Sequence, residues 1–273
     1  MTAPTTTVSN LAAIKLLTFV MFAMFAMTTD SVGIIIPEII KTFHLSLTAA
    51  GAFQYSTMGG IAFAGFFLGH LANGLGRKPT IVAGLALFAA ASYLFIAGKS
   101  FAYFCTLLGL SGISIGVFKT GALALIGDFV KSTAEHTSIM NTVEGFFGIG
   151  SIIGPALLAI LMSRGVSWQW LYVIAGSMCV LLVATAIRIK YPSKTAAAPD
   201  GHDLRVILPV AKNPFVLAFS CGAFLYVAVE AAIYVWMPTL LANYRGHAAW
   251  IATYSFPFSF CFVPPADSWA AGC

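Results

Sequence analysis

Seven apolar stretches run through this chain, at residues 11–40, 48–68, 80–98, 101–127, 137–162, 168–189 and 213–241, joined mostly by short links. Each is long enough for a helix rising about 1.5 Å per residue to cross the roughly 30 Å hydrocarbon core of a bilayer. In that medium backbone polar groups must be bonded within the segment or around a closed barrel. The alternating segments of roughly ten residues that build a barrel are absent from this sequence. Composition agrees: 59% of the 273 residues are hydrophobic and 8% are charged. A soluble domain of this length carries about 25% charged residues to wet its surface. The fold class is an all-α polytopic membrane protein.

The connectors set an orientation. With the N-terminus inside the cell, the inner segments hold Lys15, Arg77, Lys78, Lys131, Arg188, Lys190, Lys194, Arg205 and Lys212, and the outer ones Lys41, Lys99, Arg164 and Arg245. Nine basic residues against four place the N-terminus in the cytoplasm of a multi-pass protein of the inner or plasma membrane. This distribution also accounts for the net charge of +5. Because the basic residues form no stripe with interleaved aromatics, nucleic acid is not an expected partner; membrane lipid is. The five cysteines stand singly, without Cys-x-x-Cys or paired histidines, so neither a disulfide framework nor a metal centre is expected. No cofactor is implied.

Residues 1–10 are polar and read as disordered, and 11–190 carry six spans. Residues 191–212, with Pro192, Lys194, Pro199, Asp200 and Arg205, form a cytoplasmic linker before the seventh span at 213–241. Residues 242–273 read as an aberrant tail: past Ile251 they hold three prolines and an aspartate without a membrane-length run, as a shifted reading frame would leave. A seven-helix retinal receptor requires a lysine in its last span for the Schiff base, and 213–241 has none. Without a metal-spaced cluster or serine-centred nucleophile motif the chain is not expected to be an enzyme. Without a glycine-rich phosphate loop it is not an ATP-driven pump.

The most specific segment is 69–81, GHLANGLGRKPTI, between the second and third spans. It resembles the loop motif G-x-L-a-D-r-x-G-R-[RK]-x-x-[LI] of the major facilitator superfamily. Gly69, Leu71, Gly76, Arg77, Lys78 and Ile81 match in register, while Asn73 stands for the aspartate and Gly74 for the first arginine. In that family the aspartate ties cytoplasmic helix ends together, so Asn73 implies a weaker, uncharged gate. In the fifth span, Gly150, Gly154 and Pro155 resemble the G-x-x-x-G-P motif of the antiporter branches and are read as a helix kink. The seventh span, with Glu230, Trp236 and Pro238, is similar to the fucose-permease-like branch. The resemblance covers residues 11–241 and implies a six-helix bundle plus the first helix of a second half. It also implies secondary transport by alternating access, by a monomer when full length.

Ionisable side chains within a bilayer cost about 2.5–3.5 kcal/mol each, so each needs a partner or a function. Counting from helix centres at about 1.5 Å per residue, Asp30, Gln54 and Glu230 lie roughly 6–8 Å outward, and Lys119 and Glu144 roughly 7–9 Å inward. Lys119 and Glu144 are matched in depth and opposite in sign, which predicts an ion pair. Asp30 and Glu230 are matched in depth and alike in sign; facing one cavity, they would form a proton-coupling element. Trp236, Tyr55, Phe53 and Phe118 are candidates to stack on a sugar, with interfacial anchoring as the alternative. Small-residue faces at Gly60, Gly65 and Gly69, and at Gly109, Gly112 and Gly116, predict close helix packing. The expected substrate is a small polar solute, sugar-like, moved with protons; the alternative is proton-driven efflux of a drug or metabolite.

Overall fold

A computed structural model describes residues 8–191 and 212–241. The expected N-terminal disorder at 1–10, most of the linker and the tail at 242–273 fall largely outside them. The helices are α1 (Val8–Thr29), α2 (Val32–Phe43), α3 (Leu47–Ala50), α4 (Ala52–Phe67), α5 (Leu71–Gly74), α6 (Arg77–Leu94), α7 (Phe101–Phe129), α8 (Thr133–Ser163), α9 (Gln169–Arg188) and α10 (Pro214–Leu241). Among the described residues, six spans are long and apolar enough to cross a membrane. A seventh is α3 followed end to end by α4, since helical hydrogen bonds run through Gly51 to Leu47 and from Tyr55 back to Gly51.

Hydroxyl caps set several boundaries. Ser46, Ser100 and Ser132 accept the backbone N–H of Ala49, Tyr103 and Glu135, satisfying first-turn donors that the helix cannot. Glu135 also accepts the N–H of Lys131, so the start of α8 is tied from both directions. His44, at φ 51°, ends α2 in the left-handed conformation.

The first span departs from expectation. The helix is interrupted at Asp30 and Ser31, and α2 then runs through Pro37. The run Thr28-Thr29-Asp30-Ser31 explains this. Thr28 and Thr29 donate to the Phe25 carbonyl, and Ser31 to that of Met27. The three hydroxyls of this run thus compete with the backbone ladder for its acceptors.

Two apolar clusters flank this break. One packs Phe22, Phe25, Phe88 and Phe118 between α1, α6, α7, α8 and α9. The other packs Ile35, Ile39, Phe53, Phe104, Trp168 and Tyr172 around α2, α4, α7 and α9. The helices meet chiefly as α4 on α7, α6 on α7, α1 on α8, α6 on α9 and α10 on α2.

The glycine faces divide. A Cβ on Gly60 would strike the Gly109 carbonyl, and one on Gly112 that of Thr57, so these two set the α4–α7 approach. Gly65, by contrast, faces open space, and Gly69 nears only the carbonyl of Gly65. Gly65 stands off the seam by helical phase, since Ala64 is the residue that meets Gly116 of α7, and Gly69 lies beyond the end of α4.

Candidate transport cavity and loop network

A cavity of about 440 Å³ opens between α1, α2, α4, α7, α8 and α10. Five of the six side chains expected on a substrate or proton pathway line it: Asp30, Gln54, Lys119, Glu144 and Glu230. Asp30 arrives there because the helix breaks beneath it. Its carboxylate accepts the hydroxyls of Thr29, at 3.1 Å, and of Ser151 on α8. Glu230 sits on α10, which packs on α2 where the Tyr234 carbonyl takes the place a side chain at Gly33 would fill. Asp30 and Glu230 feel each other electrostatically across the cavity, as do Glu144 and Lys119.

Two expectations are corrected here. Lys119 and Glu144 line one cavity without forming a contact ion pair: among the described residues, the ion pairs within 4.0 Å are Lys15–Glu135 and Arg77–Asp128. The Lys119 ammonium lies instead 5.5 Å over the ring of Phe147. Consecutive helices α7 and α8 touch little along their length, so equal depth does not bring the two charges together.

The second correction concerns the aromatics. Trp236 packs against the α2–α4 cluster and is not among the cavity-lining residues. Phe53 is fully buried against Phe101 and Trp168, Phe118 is fully buried against Phe22 and Phe25, and Tyr55 is exposed. The rings that do line the cavity are Phe22, Phe25, Phe147, Tyr226 and Tyr234. Tyr226 and Tyr234 donate their hydroxyls to Glu230 at 3.4 and 3.1 Å. Sequence reasoning missed them although the signal was present: positions 226, 230 and 234 are four apart and share one helix face.

The G-x-x-x-G-P motif at Gly150, Gly154 and Pro155, read from the sequence as a helix kink, is also a helix contact. α8 is continuous through Pro155, and the two glycines bring α1 close: a Cβ on either would run into the backbone of Ala23 or Met27. Ser151, between them, is thereby aimed at Asp30.

The loop motif forms a compact network at the end of the bundle. Gly76, at φ 97°, turns the chain into α6 in a conformation few side chains tolerate. Arg77 grips Asp128 at the end of α7 with two hydrogen bonds, at 2.8 and 3.2 Å. It also donates to the Ala72 carbonyl and to Asn73 Oδ1. Lys78 caps the end of α9 by donating to the carbonyls of Ile187 and Ile189. Asn73 thus keeps a hydrogen bond where the motif's aspartate would add charge, and Asp128 supplies that charge from another helix. Asp128 escaped the sequence reading. The available signal was an acidic residue at a helix end on the side rich in basic residues. A Cβ on Gly69 would meet the Gly65 carbonyl of its own segment and nothing of the network.

The family model described as Major Facilitator Superfamily matches residues 17–268. The chain belongs to this superfamily. Among curated superfamily relatives, the TsgA homolog of Buchnera aphidicola subsp. Baizongia pistaciae is 22% identical over 242 residues, covering 86% of this chain and 59% of that protein. Protein TsgA of Shigella flexneri is 23% identical over 228 residues, covering 81% of this chain and 56% of its own length. A crystal structure of a bacterial homolog to the human lysosomal transporter Spinster, inward-facing and unoccupied, superposes with a TM-score of 0.68 at 14% identity. It covers 93% of this chain and 60% of that one. The chain therefore spans less than two thirds of the length of these relatives. The superposition shows that this chain shares the all-α fold of that structure.

Proposed function

We propose that the protein is a secondary active transporter of a small polar solute, driven by protons and working by alternating access around the cavity at Asp30. The observation that carries this reading is the meeting, in one cavity of about 440 Å³, of Asp30 at a broken helix and Glu230 from the seventh span. Discontinuous membrane helices concentrate binding sites in transporters, because their freed polar groups are tolerated only where they line a cavity. A carboxylate there can hold a proton or release it as access changes sides. Gln54 lines the cavity with an unpartnered Oε1 and supplies hydrogen bonding to a polar solute.

Proton-driven efflux is favoured by one further contact. The motif resembling that of antiporter branches lies against α1, and its Ser151 bonds the proton-site candidate directly. The connectors, nine basic residues against four, support an N-terminus in the cytoplasm of the cell membrane.

The deciding experiment uses proteoliposomes with an imposed proton gradient and a panel of labelled solutes. Gradient-driven accumulation, lost in Asp30→Asn while solute exchange at equal pH persists, is the expected result. Full pH dependence in Asp30→Asn and in Glu230→Gln would remove proton coupling from these residues.

A further inference from the structure

From the polarity of the cavity wall we infer that its solute is a small organic cation, a protonated amine with an apolar body, and not a neutral sugar. The inference deepens the transport reading and rests on it for the location of the site. Among the described lining residues, three side chains are carboxylic, Asp30, Glu144 and Glu230, and one is cationic, Lys119. By formal count, the carboxylic side chains still outnumber the ammonium when one of them carries a proton.

A second observation points the same way. Gln54 is 7% exposed, lines the cavity, and its Oε1 has no hydrogen-bond partner among the described residues. A buried acceptor of this kind demands a donor from the ligand. A hexose hydroxyl can turn its O–H toward these acceptors, but it brings no positive charge to balance the carboxylates. An ammonium group presents donors alone. Removing an ammonium from water is tolerable only against opposite charge and hydrogen-bond acceptors, which this wall supplies.

The apolar part of the wall suits the rest of such a molecule. Phe22, Phe25 and Phe147 line it beside Tyr226 and Tyr234. The Lys119 ammonium already rests 5.5 Å over the Phe147 ring, so this wall accommodates a cation against an aromatic face. Asp30 already accepts the hydroxyls of Thr29 and Ser151, and Glu230 those of Tyr226 and Tyr234 through Oε1, so a ligand ammonium is drawn toward Glu144 and the other oxygen of Glu230.

The test uses the purified full chain in lipid nanodiscs, with calorimetric titration corrected for empty discs. The probes are matched in size: phenethylammonium, neutral 2-phenylethanol and anionic phenylacetate, with glucose as the sugar. Phenethylammonium is expected to bind at least about tenfold more tightly than 2-phenylethanol, with phenylacetate weakest. Glu230→Gln should abolish that preference. Glu144→Gln is the second variant, so that misfolding of one does not decide the matter.

Equal or tighter binding of 2-phenylethanol, phenylacetate or glucose overturns the inference, as does the absence of measurable ammonium binding. Proteoliposome uptake separates the two readings. Proton-driven uptake of glucose without ammonium preference keeps transport and refutes the cation. Selective ammonium binding without gradient-driven movement keeps the cation and refutes transport.

Discussion

Glu230 shows how single hydrogen bonds tune this cavity. Two phenols converge on its Oε1, and the Tyr234 bond at 3.1 Å is shorter than the Tyr226 bond at 3.4 Å. Tyr234→Phe should therefore weaken solute binding more than Tyr226→Phe. The expected loss is about fivefold for Tyr234, the worth of roughly 1 kcal/mol for one hydrogen bond. Titration of the two variants side by side checks the order; equal effects would mean that the phenols do not set the carboxylate's position. The cavity charges Asp30, Lys119, Glu144 and Glu230 were legible in the sequence because a charge inside an apolar run stands out. Tyr226 and Tyr234 were not, since tyrosine is ordinary in a membrane helix and only a shared face with Glu230 makes it matter. Trp236 drew attention for its size, yet its helix turns it onto the α2–α4 cluster.

At the scale of the helix, backbone contact decides which glycines count. Gly154→Ala would push a Cβ into the backbone of Met27 and should cost about 1–3 kcal/mol, as overpacking does. Gly148→Ala, six residues earlier on the same helix, meets nothing and should be neutral or stabilising by up to about 1 kcal/mol through helix propensity. Thermal unfolding in detergent compares them directly. The same contrast is expected on α4, where Gly60→Ala collides with α7 and Gly65→Ala faces open space.

The loop network makes a separate prediction. Asn73→Asp places a charge opposite Arg77 and strengthens a bond already present at 2.8 Å. Amide exchange across residues 71–76 should slow in that variant and quicken in Arg77→Ala. No change in either would detach the network from the loop's rigidity.

For the whole molecule, the span boundaries follow from hydrophobicity, and most came within a few residues of the observed helices. The orientation remains a prediction: a single cysteine placed in the Arg77 turn should be shielded from a membrane-impermeant reagent in intact cells and labelled after lysis. Labelling in intact cells would reverse the topology. The outer face of α10 is apolar and exposed, with Phe215, Phe219 and Phe224 among its open side chains, as suits a helix against lipid or further helices.

The sequence alone determined that the chain crosses a membrane as helices and which superfamily loop it carries, because both are local properties of composition and spacing. It also singled out the buried charges, since a bilayer makes each one costly. Tertiary structure decided which of those charges share a cavity, that Lys119 rests on a ring rather than on Glu144, that Asp128 answers Arg77, and that Asp30 stands at a break beside Ser151. Those outcomes depend on which helix faces which, and spacing along one helix carries no information about the neighbour it meets.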